Sequence, residues 1–412
     1  MTQETALEIL KKDGNVFITG QPGTGKSYLV NQYVNWLLDN GKIPTVTAST
    51  GIAAVHVGGT TLHSWAGVRD DNTLTDQDMV DILDNDYIRN RICRTEILII
   101  DEISMVSAKL LNVISKLSMI ARQNMTPFGG IKVVAVGDFF QLPPVKGDFA
   151  FESEIWEQAN FTVCYLHEQH RQSEKVFNDI LTNIRAGFLT EDQKVIIRSR
   201  VIEDVSTLEN VIRIETHNVN VDNINDMKLT RHEGVPKTYV MTSNGNELAI
   251  KALKKNCLSP ERLTLKVGVP VLLTRNDVDK RYVNGSQGVV TALYDNSVKV
   301  QLKNGLEVEL ESNKWERCDG YGDNKKVIAS ISQIPIKLAY AITTHKSQGM
   351  TLDSAVIDVS KAFAPGQAYV AVSRVKSLEG LYFQGKLTKN FLMISDKVLA
   401  YDKTVHNAHP KT

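Results

Sequence analysis

Val16-Phe17-Ile18-Thr19-Gly20-Gln21-Pro22-Gly23-Thr24-Gly25-Lys26-Ser27 decides the fold class. Residues 16–19 predict a strand buried on both faces. A helical pattern follows from about residue 26 to 38, with Tyr28, Leu29, Val34 and Leu37 among its apolar positions. Between strand and helix, residues 20–27 fit G-x-x-x-x-G-K-[ST], and a strand before and a helix after is the context a phosphate loop needs. Gly20, Gln21, Pro22, Gly23, Thr24 and Gly25 form the cradle. Gly23 and Gly25 let backbone N–H groups approach phosphates, and the helix N-terminus adds a favourable dipole. Lys26 then reaches the β- and γ-phosphates and Ser27 can ligate Mg2+. ATP and Mg2+ are the expected cofactors.

Further strands are expected at Thr45-Val46-Thr47-Ala48, Ile97-Leu98-Ile99-Ile100 and Val133-Val134-Ala135-Val136. Continuous apolar runs of this length suit strands covered on both faces by crossover helices. The chain therefore reads as a parallel α/β sheet through about residue 160. A second set is expected from Thr162-Val163-Cys164-Tyr165, Val211-Ile212-Arg213-Ile214 and Ala355-Val356-Ile357-Asp358. Residues 229–334 have another texture, with short alternating strands and turn signals at Asn284-Gly285, Asp295-Asn296 and Asn304-Gly305. That pattern predicts a small all-β unit inserted in the second α/β domain.

Composition narrows the class. The chain has 412 residues, 42% of them hydrophobic, enough for two or three domains with cores. Lys+Arg and Asp+Glu both number 47, so a nucleic-acid partner cannot be read from global charge. Locally, residues 70–86 hold Asp70, Asp71, Asp76, Asp78, Asp81, Asp84 and Asp86 with no base, a stretch that should avoid phosphate. Residues 228–281 hold eleven Lys/Arg against five Asp/Glu, a mildly basic run that serves either as solvated surface or as strand contact. Cys93, Cys164, Cys257 and Cys318 are scattered without a C-x-x-C pair, which argues against a zinc module and fits a reducing compartment. His167-Glu168-Gln169-His170 is one residue short of the zinc-protease spacing. Without a signal-peptide pattern or an apolar run of membrane length, a cytoplasmic protein with no membrane contact is expected.

Asp101-Glu102 closes the expected strand 97–100, at the carboxyl edge of the sheet beside the phosphate loop. Asp101 is placed to hold Mg2+ through water or Ser27, and Glu102 to orient and deprotonate an attacking water. Gly137-Asp138-Phe139-Phe140-Gln141-Leu142-Pro143-Pro144 also follows a buried strand, and Gln141 can sense a γ-phosphate or serve only as a loop residue. Arg171 and Arg374 are candidates for charge at the transition state, with a surface ion pair as the alternative for each.

The order of these pieces resembles the petite-integration-frequency family of superfamily 1 DNA helicases, relatives of RecD and Dda. Nearly the whole chain takes part. Beyond the phosphate loop, the resemblance rests on Thr47-Ala48-Ser49-Thr50-Gly51-Ile52-Ala53-Ala54, Gly58-Gly59-Thr60-Thr61-Leu62-His63-Ser64 and Asp101-Glu102-Ile103-Ser104-Met105. Residues 127–145, opening Pro127-Phe128-Gly129-Gly130, look like the family's own signature. Later come residues 168–172, Val283-Asn284-Gly285-Ser286-Gln287-Gly288, Thr343-Thr344-His345-Lys346-Ser347-Gln348-Gly349-Met350-Thr351 and residues 369–374. His217 departs from the pattern, standing where members often carry Arg or Lys. The resemblance implies two RecA-like domains, at 1–160 and at 161–228 with 335–412. It also implies an inserted SH3-like barrel at 229–334 and a small wedge near 66–92. It implies ATP-driven 5′-to-3′ movement on single-stranded DNA and unwinding of forked or structured duplexes by a monomeric core. Gln3 becomes an adenine-reading residue and Gly349 a residue near the nucleotide. Gln141, Arg171 and Arg374 become γ-phosphate contacts.

A motor must grip and release its strand, which hydroxyls, N–H groups and a few cations allow. Thr50, Gly51 and His63 are the expected contacts in the first domain, and Thr344, His345 and Lys346 in the second. His63 can stack on a base or be a structural histidine, and Asn284-Gly285 can touch DNA or be only a turn. The acidic stretch near 70–86 is a candidate pin for strand separation. A translocase that does not unwind, a nucleotide-gated switch and an RNA helicase remain open on the motifs alone.

Overall fold

The chain's first strand, β1 (Val16–Gly20), is buried along its whole length, as Val, Phe and Ile in sequence require when both sheet faces are covered. With β2 (Thr45–Ala48), β3 (Thr60–Thr61), β4 (Ile97–Asp101), β5 (Lys132–Val136) and β6 (Thr162–Leu166) it forms a six-stranded parallel sheet, ordered β3-β2-β4-β5-β1-β6. The computed structural model describes the chain except residues 69–73, 146, 170–173, 206–207, 209–210, 216–217, 278, 280, 320–325, 359–362, 386–387 and 409–412. It divides into two units.

The first unit is Met1–Ser173 with Ala364–Gly366 and Ile394–Thr412. Its helices are α1 (Gln3–Lys11), α2 (Lys26–Asp39), α3 (Gly51–His56), α4 (Leu62–Ala66), α5 (Asp76–Asp84), α6 (Asp86–Arg94), α7 (Ala108–Arg122) and α8 (Glu154–Gln158). Strand alternation sets the layers. Val16, Ile18, Ile97, Ile99, Val134 and Val136 point to one face, where Leu10 of α1 and Leu29, Tyr33 and Leu37 of α2 cover them. Pro127-Phe128-Gly129-Gly130 forms a tight turn before β5. Phe128 is buried at φ 56°, and its N–H donates to Ser115 Oγ of α7 at 2.9 Å. This stretch therefore has a structural job, tying α7 to the start of β5.

The sequence reading places Thr162-Val163-Cys164-Tyr165 in the second sheet. Instead β6 pairs with β1 in register Val16↔Thr162 to Gly20↔Leu166, so the first sheet runs past residue 160. The strand's apolar run announces burial but not its neighbour. The acidic stretch is helical over most of its described residues. Asp70 and Asp71 lie outside the described residues, and α5 and α6 form a helical pair that packs on α7, with Met79, Leu83 and Ile92 buried. Three of its aspartates have local work: Asp78 completes a capping box with Thr75, Asp76 pairs with Lys116 at 2.6 Å, and Asp86 pairs with Arg89.

The second unit is Glu174–Phe363 with Gln367–Met393. It opens with α9 (Lys175–Arg185), α10 (Glu191–Ser199), β7 (Val201–Ile202), β8 (Ile212–Glu215) and α11 (Asn218–Arg231). The inserted region follows, with β9 (Lys237–Val240), β10 (Thr242–Gly245), α12 (Glu247–Asn256), β11 (Arg262–Leu265), β12 (Pro270–Leu273), β13 (Gln287–Leu293), β14 (Ser297–Leu302), β15 (Glu307–Glu311), β16 (Asn313–Asp319), β17 (Lys326–Gln333) and β18 (Ile336–Leu338). The chain then returns through β19 (Ala341–Thr343), β20 (Ala355–Asp358), α13 (Gln367–Val372) and β21 (Leu381–Gln384), and ends with α14 (Asp396–Ala408), which belongs to the first unit. β19-β8-β20-β21-β7 is a five-stranded parallel sheet. The insertion is antiparallel: a five-stranded sheet β15-β14-β13-β12-β18, a pair β11-β9 and a three-stranded sheet β10-β17-β16. Tyr239, Leu263, Val271, Val298, Val300 and Ile336 belong to one core there. Asp295-Asn296 and Asn304-Gly305 turn between β13, β14 and β15 as their sequence suggests. The helix α12, capped by Asn246, departs from the all-β reading of this stretch, and it lies over β17.

Candidate nucleotide site and strand contacts

The loop after β1 turns through left-handed Gly23 (φ 91°) and Gly25 (φ 78°) into α2. Gly25 is the residue before the helix, so the first N–H groups of α2 point out of the loop without a side-chain cap. Lys26 Nζ donates to Gly20 O at 2.7 Å and Gln21 O at 3.0 Å. Thr24 Oγ1 donates to Gln21 O at 2.8 Å, which tightens the turn. Gln3, at the start of α1, donates from Nε2 to Thr24 O at 3.2 Å. Ser27 is exposed. Pro22 is buried.

The carboxyl ends of β4 and β5 lie beside that of β1, the edge of an open α/β sheet where ligands bind. Asp101 ends β4. Burial raises its carboxyl pKa to about 7, the adjacent Glu102 carboxylate pushes the same way, and the Glu102 N–H and the Lys26 charge oppose the shift. The Glu102 N–H donates to Asp101 Oδ1 at 2.9 Å. Glu102 itself sits at φ 53°, a left-handed conformation that costs a non-glycine residue about 1 kcal/mol or more. Strain of that kind is retained where the surroundings fix a side chain for a purpose. Beside them, Ser104 and Ser49 each bury a hydroxyl oxygen with no hydrogen-bond partner, and the Ser49 N–H donates to Asp101 O at 3.2 Å. Following β5, Asp138 is fully buried and accepts from the Phe140 N–H at 3.2 Å. Gln141 is buried as well, its N–H donating to Asp138 O at 2.9 Å.

This set fits Mg2+. The ion takes oxygen ligands, keeps several waters and is usually held by one or two carboxylates together with substrate phosphates. Asp101 offers a carboxylate whose charge is costly until a cation arrives, and Ser27 offers an exposed hydroxyl at the start of α2. Among the described residues no group of three or more His, Cys, Asp or Glu could hold a metal by itself. Phosphate oxygens and water would complete the shell.

The structure thus gathers Gln3, residues 20–27, Asp101, Glu102 and Gln141 in the first unit. Gln169 joins them unannounced, donating from Nε2 to Gln21 Oε1 at 3.1 Å. It lies two residues before Arg171, which falls outside the described residues. That spacing is the one signal the sequence offers for it. Of the expected strand contacts in this unit, Thr50 caps α3 by accepting from the Ala53 N–H at 3.2 Å. Gly51 opens α3 and His63 lies on α4, both half-buried.

In the second unit the candidates have more partners. Thr344 is buried and both its N–H (3.0 Å) and its hydroxyl (3.3 Å) donate to Glu215 O. His345 is half-buried, and burial lowers its pKa. The Lys346 N–H donates to Thr343 Oγ1 at 3.2 Å. Arg374 is buried, its Nε donating to Val370 O at 3.0 Å and its Nη2 to Ser373 Oγ at 3.0 Å. Asn284 is buried with Oδ1 unpartnered, and Gly285 (φ 97°) comes so close to Thr351 O that a Cβ would lie 2.8 Å from it. The Asn284-Gly285 stretch is therefore not a free two-residue hairpin; it packs the insertion against residues 350–351, next to exposed Gly349. Lys337 of β18 carries no signal in the sequence. Burial first, and then the neighbouring Lys346, lower its pKa to about 7, with Asp222 opposing. Among the described residues no helix is long and apolar enough to cross a membrane.

Known proteins share this fold. The family model described as PIF1-like helicase matches residues 3–195, and that of the DNA helicase Pif1 2B domain matches residues 249–293, inside the insertion. The chain is similar to the ATP-dependent DNA helicase Pif1 of Psychrobacter sp. (strain PRwf-1), 38% identical over 451 residues, covering 93% of this chain and 68% of that one. It is also similar to the crystal structure of Bacteroides sp. Pif1 in complex with ADP-AlF4, at TM-score 0.86 and 32% identity over 99% of this chain and 97% of that chain. Bacteroides Pif1 bound to ssDNA compares at TM-score 0.64 and 33% identity, covering 98% and 96% of the two chains.

Proposed function

This chain belongs to the PIF1-like helicase family and is a DNA helicase that hydrolyses ATP, and from that premise we propose that it moves 5′ to 3′ along single-stranded DNA and opens forked or structured duplexes ahead of it. The observation that carries the ATP-driven part is the placement of Lys26, Asp101, Glu102 and Gln141, the candidate hydrolytic set, at the carboxyl ends of β1, β4 and β5 on one unit; the direction rests on resemblance to the family.

In this proposal Gln3 reads adenine and residues 20–27 hold the phosphates, with Lys26 moving from the Gly20 and Gln21 carbonyls to the β- and γ-phosphates. Mg2+ bound by Ser27, and by Asp101 through water, would offset phosphate charge. Glu102 holds a water and takes its proton as the water oxygen attacks the γ-phosphorus. The bond from that phosphorus to the β,γ-bridging oxygen breaks, and ADP and inorganic phosphate leave. Gln141 senses the γ-phosphate, Gly349 lies near the nucleotide, and Arg171 and Arg374 supply positive charge to the transition state. Each unit carries its own candidate contacts to the strand: Thr50, Gly51 and His63 in the first, and Asn284, Gly285, Thr344, His345 and Lys346 in the second. Two sets on two units are what alternating grip requires. Similarity to a Pif1 whose structure is described as bound to ssDNA supports the choice of strand.

Streptavidin displacement from biotinylated oligonucleotides tests the direction. ATP should speed displacement from a 3′-biotin and leave a 5′-biotin in place. The reverse pattern, or ATP-independent release, would overturn it.

A further inference from the structure

The loop carrying Gln141 is held by residues from the far end of the chain. Phe139 is the hub of a ring cluster within the first unit. Its centroid lies 5.3 Å from Phe17, 4.8 Å from Phe151, 5.6 Å from Trp156 and 5.6 Å from Tyr401. Tyr401 belongs to α14. It stacks on Phe151 at 4.3 Å and 7°, meets Phe139 edge-on at 89°, and accepts from Trp156 Nε1 at 2.9 Å through its hydroxyl. Lys397, one turn earlier, pairs with Asp148 at 3.0 Å and Glu152 at 2.5 Å, fixing the helix over the same loop. On the backbone side there is no slack. A Cβ on Gly366 would lie 2.3 Å from Phe140 O and 2.6 Å from Gln141 O, and Gly366 has φ 75°.

We propose that Tyr401 is a positioning residue for ATP hydrolysis: it fixes Phe139, and through Phe139 the place of Gln141. The proposal rests on the γ-phosphate role of Gln141. The chemistry suits it. Edge-to-face and stacked rings fix relative orientation as well as burying surface, and such pairs add about 0.5–1.5 kcal/mol beyond burial. A sensor two residues from Phe139 inherits that orientation through a short stretch of backbone. The Phe17 contact extends the same cluster to β1, three residues before the phosphate loop, so one set of rings backs both the loop that binds phosphate and the loop that senses it.

A double-mutant cycle decides the matter, because residues acting as a unit give non-additive losses. DNA-stimulated ATPase is measured for the full chain, for Gln141→Ala, for Tyr401→Ala and for the pair, with Tyr401→Leu as an apolar variant and Tyr401→Phe as the ring-preserving one. Thermal melts accompany each. Tyr401→Ala and Tyr401→Leu should lower kcat about tenfold with KM for ATP unchanged, and by under about twofold once Gln141 is already Ala. Tyr401→Phe should stay within about twofold of the parent. Equal losses in both backgrounds, or no loss in either, overturn the positioning role while leaving Gln141 as sensor. If Gln141→Ala alone changes nothing, the sensor assignment fails and the positioning role falls with it.

Discussion

The two parallel sheets place polar groups at equivalent edges but treat them differently. At the end of β4, Asp101 has a raised pKa, Glu102 is held in a left-handed conformation, and Ser49 and Ser104 bury unpartnered hydroxyls. At the ends of β8 and β19, Glu215 sits 3.5 Å from Arg213, and the N–H and hydroxyl of Thr344 are both used on Glu215 O. The first edge stores unmet electrostatic demand; at the second, Glu215 and Thr344 already have partners. A site that must bind a multiply charged nucleotide and its cation gains from groups that are costly without them. A surface that must let go of a strand at each step gains from groups that exchange one adequate partner for another.

That contrast can be broken first at Glu102. Glu102→Gln should cut kcat by about 10²–10⁴, as removal of a general base does, with nucleotide binding retained. Steady-state ATPase beside fluorescent-nucleotide titration checks it, and a change under tenfold would remove Glu102 from the chemistry.

Asp101→Asn measures the stored demand itself. Native Asp101 keeps its proton to about pH 7, above its unfolded value of 3.8, so the folded state binds more protons between about pH 4 and 7 and stability falls as pH rises through that window. In nucleotide-free protein, Asp101→Asn should therefore be stabilising at pH 8, by on the order of 4 kcal/mol at most, with the gain fading toward pH 4. Thermal melts across pH follow it; a pH-independent difference would contradict a protonated Asp101 as its origin.

On the second edge the expected effects are smaller. Lys346→Ala should weaken single-stranded DNA binding a few-fold and reduce the salt slope by about 0.7, leaving ATPase without DNA unchanged. Fluorescence anisotropy over a salt series gives both numbers, and an unchanged slope would remove Lys346 from the phosphate contacts. Smallest of all, Asp76→Asn removes an exposed pair with Lys116 and should shift stability by less than about 1 kcal/mol. A larger loss of stability in a thermal melt would make the acidic helices part of the core rather than its cover.

Much of the first edge is legible in the sequence because its signals are local. The phosphate loop is eight consecutive residues between a strand and a helix, and Asp101-Glu102 follows four apolar residues. What sequence spacing does not supply is adjacency. Thr162–Leu166 shows that a strand is buried but not that it pairs with β1. Gln169 meets Gln21 across 148 positions, and Tyr401 meets Trp156 across 245. Lys337 reads as an ordinary surface lysine until burial and Lys346 surround it. The helix α12 does leave a trace, Asn246-Glu247 as a capping start, but it is ten residues inside a stretch otherwise read from its alternating strands and later turn signals.

Directional unwinding is decided by ATP-driven opening of two partial duplexes, one with a 5′ single-stranded tail and one with a 3′ tail, with Lys26→Ala as control. Unwinding of the 5′-tailed duplex alone, lost in the control, is the predicted result. Unwinding of the 3′-tailed duplex instead, or stimulated ATP hydrolysis with no strand separation on either substrate, would contradict it.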